Sequence, residues 1–290
     1  MRIAIFAVLC TIFSTVATAR TSTLEWTIDV NVRGNDGIQH SYTTKAWVYS
    51  ASQWYSGTIY AIGPYRVPDR SLPVVKQFDD IKSRQHPTVV FSGGFSKDVN
   101  YSPDGLLLVA GRVANPFLFE KNSKGDFELS AVVCQSLPGQ LSLKKTQDYV
   151  TAGSKILNAC WSAFQSGPMV VEDGHNVINS AELQKPSYVR TILGFDKKNR
   201  PRVVIFEKPV HLFIAAEFLR GEPAAAPVGQ ATVSGDPRDP NFASKSGLGL
   251  REAVNLNGDA FAICEYWGKP KFRFGNSANL IPSAIAIRSQ

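Results

Sequence analysis

Alternation of apolar and polar residues dominates the first part of the chain. The apolar positions of the first alternating run are Leu24, Trp26, Ile28, Val30 and Val32. Alternation resumes from Tyr42 to Val48, after the turn formers Asn35-Asp36-Gly37. A period of two is typical of a strand with one buried face, so this pattern predicts a β-hairpin.

Shorter apolar runs predict the remaining elements. Strands are expected at Thr88–Phe91, Leu106–Val113, Glu128–Cys134, Thr191–Asp196, Arg202–Glu207, Ala253–Leu256 and Ala260–Cys264. Helices are expected at Val74–Ser83 and, from apolar residues at helical spacing, at Val210–Arg220. Residues 222–247 hold four prolines and show no period, which predicts a long loop insert. This order of elements favours the α+β class, with a mainly antiparallel or mixed sheet and few helices, over a doubly wound parallel sheet.

The amino terminus has the pattern of a secretory signal peptide. Met1-Arg2 precedes the apolar run 3–16, and Ala17-Thr18-Ala19 supplies a small-x-small cleavage site. The apolar run is too short to span about 30 Å of hydrocarbon. We therefore expect residues 1–19 to be removed and the mature protein to be secreted or periplasmic, without stable membrane insertion. The predicted organisation is a signal peptide (1–19), a hairpin region (20–85) and one domain (86–290) that contains the insert 222–247.

Composition and charge describe an ordinary globular protein. Hydrophobic residues make up 44% of the 290 residues and charged residues 19%. The formal net charge of +7 suits an anionic partner or surface. No basic run with interleaved aromatic residues is present, so nucleic acid is not an expected partner.

Cysteine and histidine positions bear on disulfides and metals. Cys134, Cys160 and Cys264 remain after cleavage, and the first two are the nearer pair in sequence. Three is an odd number, so at least one thiol stays free or pairs elsewhere. The four histidines are scattered and no Cys-x-x-Cys spacing occurs, so neither a metal site nor a cofactor is predicted.

Glycine and small polar residues adjoin several predicted strands. Glycine at a strand end permits positive φ and lets backbone N–H groups approach a ligand closely. Arginine offers a planar fork suited to phosphate. The segments concerned are Ser92-Gly93-Gly94-Phe95, Gln165-Ser166-Gly167-Pro168, Arg190-Thr191 and Asn255-Leu256-Asn257-Gly258-Asp259. Taken singly, each segment also fits an ordinary turn or surface charge.

The order of these segments resembles the phosphodiester glycosidase family, to which the enzyme that uncovers mannose 6-phosphate on lysosomal proteins is related. That family shows an Asn-Gly-Gly-Phe-Phe turn, a Gly-Leu segment, a Gln-Ser-Gly-Pro strand with Asp-Gly, an Arg-containing hairpin and an Ala-Leu-Asn-Leu-Asp-Gly-Gly strand. The corresponding segments here are Phe91–Phe95, Ser102–Leu106, Phe164–Val171 with Asp173-Gly174, Arg190–Phe195 and Ala253–Gly258. The resemblance spans roughly residues 88–268. It implies hydrolysis of a glycan or small-molecule phosphodiester.

The resemblance also implies roles for individual residues. Arg190 would hold phosphate, Asn257 and Asp259 would face the scissile bond, and the remaining positions would line the site. Those lining positions are Ser92, Gly93, Gly94, Gln165, Ser166, Gly167 and Asn255.

Two departures from the family pattern keep a second function open. Ser92 stands where the family has asparagine, and Asn257 stands where it has aspartate. Glycosidic cleavage normally needs a carboxyl group, and asparagine cannot transfer a proton. Either Asp259, Glu172 or Asp98 supplies the catalytic carboxyl group instead, or the protein is a glycan- or phosphodiester-binding relative that lost it.

Other neighbouring side chains admit two interpretations each. Trp161, Tyr266 and Trp267 fit sugar stacking or core packing, and Lys269, Lys271 and Arg273 fit anion attraction or a solvated strand face. Unrelated chemistry would require Cys264 or Ser166 as a nucleophile, with no histidine near either in sequence.

Overall fold

The protein is described from a computed structural model. The described residues are 22–63, 74–75, 78–97, 101–125, 128–152, 158–222, 229–239, 242, 246–268, 271–276 and 281–289. The predicted signal peptide, Lys269 and Asp98 lie outside them. Within these ranges, no helix is long and apolar enough to cross a membrane.

Strands account for most of the described elements. They are β1 (Ser22–Arg33), β2 (Gln39–Ser50), β3 (Tyr55–Ile62), β4 (Val74–Val75), β5 (Val89–Ser92), β6 (Leu107–Val109), β7 (Arg112–Asn115), β8 (Ala131–Ser136), β9 (Gln140–Lys145), β10 (Ser162–Ser166), β11 (Met169–Glu172), β12 (His175–Asn176), β13 (Thr191–Asp196), β14 (Pro201–Phe206), β15 (Gln230–Gly235), β16 (Leu250–Asn255), β17 (Cys264–Tyr266), β18 (Phe272–Phe274) and β19 (Ser283–Ser289). The helices are α1 (Phe78–Gln85), α2 (Thr146–Ala152) and α3 (Leu212–Arg220), with 3₁₀ turns at Ser180–Gln184 and Asp259–Phe261.

The described strands form three sheets. The first sheet has the order β12-β11-β16-β13-β14-β2-β1-β15, the second β18-β17-β5-β19-β3-β4 and the third β7-β6-β10-β8-β9. The β1–β15 and β3–β4 pairs are parallel, whereas the other described pairs are antiparallel. The architecture is therefore dominated by mixed and antiparallel sheets, with few helices, as the sequence predicts in its coarse form.

Alternation along the strands divides the interior into two layers. One face of the first sheet, carrying Leu193 and Ile205, packs against residues of the other two sheets such as Phe91 and Phe164. We call this the inner face. The opposite face packs against α3, whose residues from Leu212 to Leu219 are all buried. We call this second side the helix face.

Several sequence predictions hold in detail. The hairpin of β1 and β2 pairs in register across the predicted Asn35-Asp36-Gly37 turn. The hairpin of β13 and β14 and the helix α3 also lie where the pattern predicts them.

Other sequence predictions need correction. The insert 222–247 is not all loop, because β15 within it pairs with β1. Ala231 and Val233 of β15 are buried and alternate with more exposed residues. In this position β15 covers the edge of β1 that would otherwise be unpaired. The first helix begins later, at Phe78. Leu106–Val113 forms two strands joined at Ala110-Gly111, where both residues have positive φ. The segment Ala260–Cys264 begins in a 3₁₀ turn rather than a strand.

A disulfide joins Cys134 to Cys160, with the Cα atoms 5.5 Å apart, and Cys264 is free and buried. The bridge ties β8 to the residue that precedes β10 by two positions, and these strands are neighbours in the third sheet. Closing this 26-residue separation restricts the unfolded chain.

We predict that protein beginning at Arg20, denatured without reductant, exposes one alkylatable thiol. Reduction should lower the free energy of unfolding by roughly 3–4 kcal/mol, because the unfolded chain regains the loop entropy. Mass spectrometry after alkylation and urea unfolding with and without dithiothreitol measure the two effects. Three reactive thiols before reduction would contradict the bridge.

Candidate active site

The motif segments meet at one junction of the first and second sheets. The N–H of Asn257, just beyond β16, donates to the carbonyl oxygen of Gly93, just beyond β5, at 3.0 Å. On its other side the same segment pairs with the start of β13, since the N–H of Leu256 donates to Thr191 O at 2.8 Å. The structure thus brings together segments that lie more than 150 residues apart in sequence.

The Gly-Gly turn after β5 is held by Ser283, a residue that the sequence analysis missed. The N–H of Gly93 donates to Ser283 O, and the N–H of Gly94 to Ser283 Oγ, both at 2.9 Å. A Cβ on Gly94 would lie 2.9 Å from Gln165 O, so the close approach requires glycine. Ser92 is fully buried, and its Oγ accepts from Ile263 N at 3.4 Å. Its side chain therefore stabilises the strand end.

Three buried polar atoms at this junction have no hydrogen-bond partner among the described residues. They are Asn255 Oδ1, Asn257 Nδ2 and Thr191 Oγ1, although the strand register places the side chain of Thr191 on the inner face and that of Asn255 on the helix face. The other amide atom of each asparagine is used, since Asn255 Nδ2 donates to Gly167 O at 3.3 Å and Asn257 Oδ1 accepts from Gly258 N at 3.1 Å. An unpaired buried polar group costs about 1–3 kcal/mol, so these atoms favour occupation by a ligand or water.

The Gln-Ser-Gly segment supports this junction from the third sheet. Gln165 donates through Nε2 to Phe119 O at 2.5 Å and to Leu129 O at 2.8 Å, and its Oε1 accepts from Phe119 N at 3.1 Å. Ser166 Oγ donates to Asn255 O at 2.9 Å. A Cβ on Gly167 would collide with the Glu128 backbone. These side chains fix neighbouring backbone rather than being available to a substrate.

Arg190 lies at the start of β13 on the helix face. Its guanidinium is 3.7 Å from Glu182 Oε1, and its Nε donates to Val210 O at 3.5 Å. It also lies 5.0 Å from the ring centre of Tyr188. Both members of the ion pair are 12% exposed. Burial lowers the pKa of Arg190, while the carboxylates of Glu182 and Asp259 oppose that shift.

Glu182 was not predicted as a site residue, although it connects Arg190 to α3. Its Oε2 accepts from Phe213 N at 3.0 Å, in the first turn of that helix. Burial raises its pKa, and the N–H groups of Phe213 and Leu212 oppose the shift. The carboxylate therefore satisfies a helix N-terminus, where anions are favoured, as well as facing Arg190.

Asp259 is the predicted carboxylate that the structure keeps at the junction. It is exposed, has a φ of +51°, and its Oδ1 accepts from Val189 N at 3.0 Å. Glu172 instead forms an ion pair with Lys145 at 2.5 Å.

A further carboxylate, Glu207, lies immediately after β14 and was not predicted. The preceding residue, Phe206, donates its N–H to Arg190 O at 3.0 Å, which sets Glu207 opposite Val189 in the continued antiparallel register. Its Oε1 accepts from the indole N–H of Trp47, whose ring stacks on Phe272 at 4.4 Å. Asp259 bonds the backbone of the same Val189, whereas the carboxylate of Glu207 is directed to Trp47 on the inner face.

The other sequence candidates lie in structural positions. Cys264 is fully buried, and burial raises the pKa of its thiol, which disfavours a nucleophilic role. Tyr266 packs in the core, and Trp267 packs beside α1 with Lys82 Nζ 5.6 Å from its ring centre. Arg273 forms an ion pair with Glu265 at 2.8 Å. In the described ranges no cluster of His, Cys, Asp and Glu could hold a metal ion.

The fold has counterparts among known proteins. Residues 85–214 match the family model of the phosphodiester glycosidases. The resemblance indicated by the motif series is therefore confirmed over these residues. Asn255, Asn257 and Asp259 lie beyond the matched segment. No curated protein matches the chain in sequence.

Two solved structures share the fold. The catalytic domain of zebrafish N-acetylglucosamine-1-phosphodiester alpha-N-acetylglucosaminidase, auto-inhibited by its pro-peptide, superposes with a TM-score of 0.55 at 12% identity, over 92% of this chain and 84% of that one. A hypothetical protein from Synechocystis superposes with a TM-score of 0.52 at 12% identity, over 86% of this chain and 60% of that one.

The surroundings of His211, beside Arg190, disfavour its protonated form. Burial lowers its pKa, and the neighbouring His40, with ring centres 4.9 Å apart, and Arg190 act in the same direction. A hydrogen bond with the backbone of Glu182 opposes the shift. The folded state therefore prefers neutral His211. This contribution to stability is fully present above the ordinary histidine pKa of about 6.5 and is lost as pH falls through the lower folded value.

We predict that the melting temperature declines below about pH 6.5 and that His211→Gln weakens this decline, because glutamine cannot take up the proton. Melting curves between pH 5 and 8 measure the effect. The matched control is His175→Gln, at an exposed position on β12. Parallel pH profiles for wild type and His211→Gln would refute the assignment.

Proposed function

We propose that the protein is an exported hydrolase of the phosphodiester glycosidase type, acting on a sugar-1-phosphate diester or a related glycoconjugate. The observation that carries the proposal is the pair of unpartnered amide atoms on Asn255 and Asn257, beside the Gly93-Gly94 turn. Such atoms offer hydrogen bonds to sugar hydroxyls or phosphate oxygens. The family match and the zebrafish enzyme of like fold support this substrate class.

Charged groups near the start of β13 are the candidates for the chemistry that the proposal needs. Retaining and inverting glycosidases use two carboxyl groups, one that protonates the leaving oxygen and one that attacks or activates water. Asp259, which is hydrogen-bonded to Val189, would fill one of these roles, and Glu207, at the end of the strand that pairs with β13, is the candidate for the other. Arg190 would contact the phosphate from the helix face, with Glu182 holding its guanidinium in place.

Export adds a separate expectation to the proposal. The pattern of residues 1–19 supports a cleaved signal peptide and a secreted or periplasmic location. Intact-mass measurement of the protein recovered from its own cells tests this point, and retention of residues 1–19 would contradict it.

A binding function without turnover is the second candidate. Asn257 keeps the size of an aspartate but cannot exchange a proton, and one oxygen of Asp259 already accepts from Val189 N. A site in this state would hold a phosphodiester through hydrogen bonds and release it unchanged.

The deciding experiment is hydrolysis of chromogenic sugar phosphodiesters by wild type, Asp259→Asn, Glu207→Gln and Asn257→Asp. We expect wild-type turnover and a loss of about 10²–10⁴-fold in kcat for Asp259→Asn, the usual contribution of a general acid or base. Asp173→Asn is the matched control, because Asp173 has a similar φ of +48° and is exposed.

The other outcomes separate the two functions. No turnover by wild type, with activity appearing in Asn257→Asp, would favour the binding relative. If no variant hydrolyses the diesters but calorimetry shows that they bind, the hydrolase proposal would also be overturned.

A further inference from the structure

A cleft of about 780 Å³ opens at the opposite end of the first sheet from the candidate active site. It is bordered by the start of β16 at Arg251, the β13–β14 turn at Lys198, and β9 at Lys144. Arg251 and Asn257 are six residues apart along an extended segment, so the two regions are about 20 Å apart. The volume falls within the range of small-ligand pockets, about 300–1,000 Å³.

Positive charge dominates the lining of this cleft. Lys144, Lys198, Arg200 and Arg251 line it, against the single carboxylate Glu252. Arg200 is neutralised by Asp196 at 2.7 Å, and Arg251 lies 3.2 Å from Glu252. In the described part of the chain Lys144 and Lys198 take part in no ion pair, and both are exposed.

One cation of the cleft also has an unsatisfied donor. The Nε atom of Arg251 is buried and has no hydrogen-bond partner among the described residues. A buried guanidinium N–H without an acceptor is costly. Together with the two unpaired lysines, it favours a ligand that carries negative charge and oxygen acceptors.

An exposed aromatic ring lies at the rim of the same cleft. Trp54 is 70% exposed, the largest value among the exposed large hydrophobic residues described. The loop that carries it is fixed, because Ser52 Oγ donates to Trp54 O at 2.6 Å and Ala51 N donates to Pro201 O at 3.1 Å. The ring is exposed to water and can offer its face to the C–H face of a sugar. Side chains of Gln53, Gln140 and Ser142 add hydrogen-bonding groups for hydroxyls.

We propose that this cleft binds an anionic oligosaccharide, with Trp54 stacked on a sugar ring and Lys144, Lys198 and Arg251 paired with its acidic groups. The site is separate from the catalytic junction and does not depend on hydrolysis. It would hold a polymeric glycan on the protein surface while the junction, about 20 Å away, acts on another part of it.

The test is titration of the mature protein with hexagalacturonate, followed by tryptophan fluorescence and by calorimetry. We expect binding that shifts the tryptophan emission, and about tenfold weaker calorimetric affinity for maltohexaose, which has the same length without charge. Trp54→Ala should remove the fluorescence change and weaken affinity about tenfold, as truncating a binding anchor does. Lys144→Glu with Lys198→Glu should weaken binding similarly and reduce its salt dependence.

Matched controls separate the cleft from general effects. Trp161→Ala removes a half-exposed tryptophan elsewhere, and Lys124→Glu reverses an exposed charge outside the lining. Both should bind hexagalacturonate as wild type does, and Asp259→Asn should also bind unchanged, which keeps this result independent of the hydrolase proposal.

Three results would overturn the proposal. One is no binding of hexagalacturonate, and a second is equal affinity in Trp54→Ala and wild type. The third is preferential binding of a ten-nucleotide single-stranded DNA, which would assign the positive charge to a nucleic acid.

Discussion

The contact on which the candidate site depends is the hydrogen bond from Asn257 N to Gly93 O. It joins the end of β16, in the first sheet, to the end of β5, in the second. Backbone groups at a buried strand end must find partners, and here each sheet supplies the partner of the other. The Gly-Gly turn allows this approach because a side chain at Gly94 would meet the carbonyl oxygen of Gln165. Catalysis or binding at the junction therefore depends on sheet packing.

The sequence pattern predicted those elements whose structure is determined by residues close together in the chain. The β1–β2 hairpin, with alternating residues around Asn35-Asp36-Gly37, and α3, with apolar residues at helical spacing, follow from periods that short segments show by themselves. The motif series also identified the segments that meet at the junction. Strand β15 escaped prediction because its alternation is short and lies among prolines, and because its pairing is with β1, about 200 residues earlier.

The missed site residues share a different cause. Ser283 reaches the Gly-Gly turn from the last described strand, far away in sequence, whereas Glu182 and Glu207 lie on either side of Arg190 in sequence but outside the motif segments. No local pattern distinguishes a serine or glutamate that will make such contacts. Gln165 shows the converse, because its motif suggests a ligand contact while its amide is used by the backbone of Phe119 and Leu129. The sequence motifs thus identify the region of the site. The hydrogen bonds of each side chain then show whether that residue supports the backbone or is available to a ligand.

Charge placement connects the two proposed functions. Arg190 is buried and held by Glu182, so it can recognise one phosphate in a fixed geometry, whereas Lys144 and Lys198 are exposed on long flexible stems. A buried, oriented cation suits the reacting group of a substrate, because fixed geometry favours one arrangement of charge. Exposed lysines suit repeated acidic groups along a polymer, because they tolerate several registers. The two proposed sites therefore place different physical requirements on their cations.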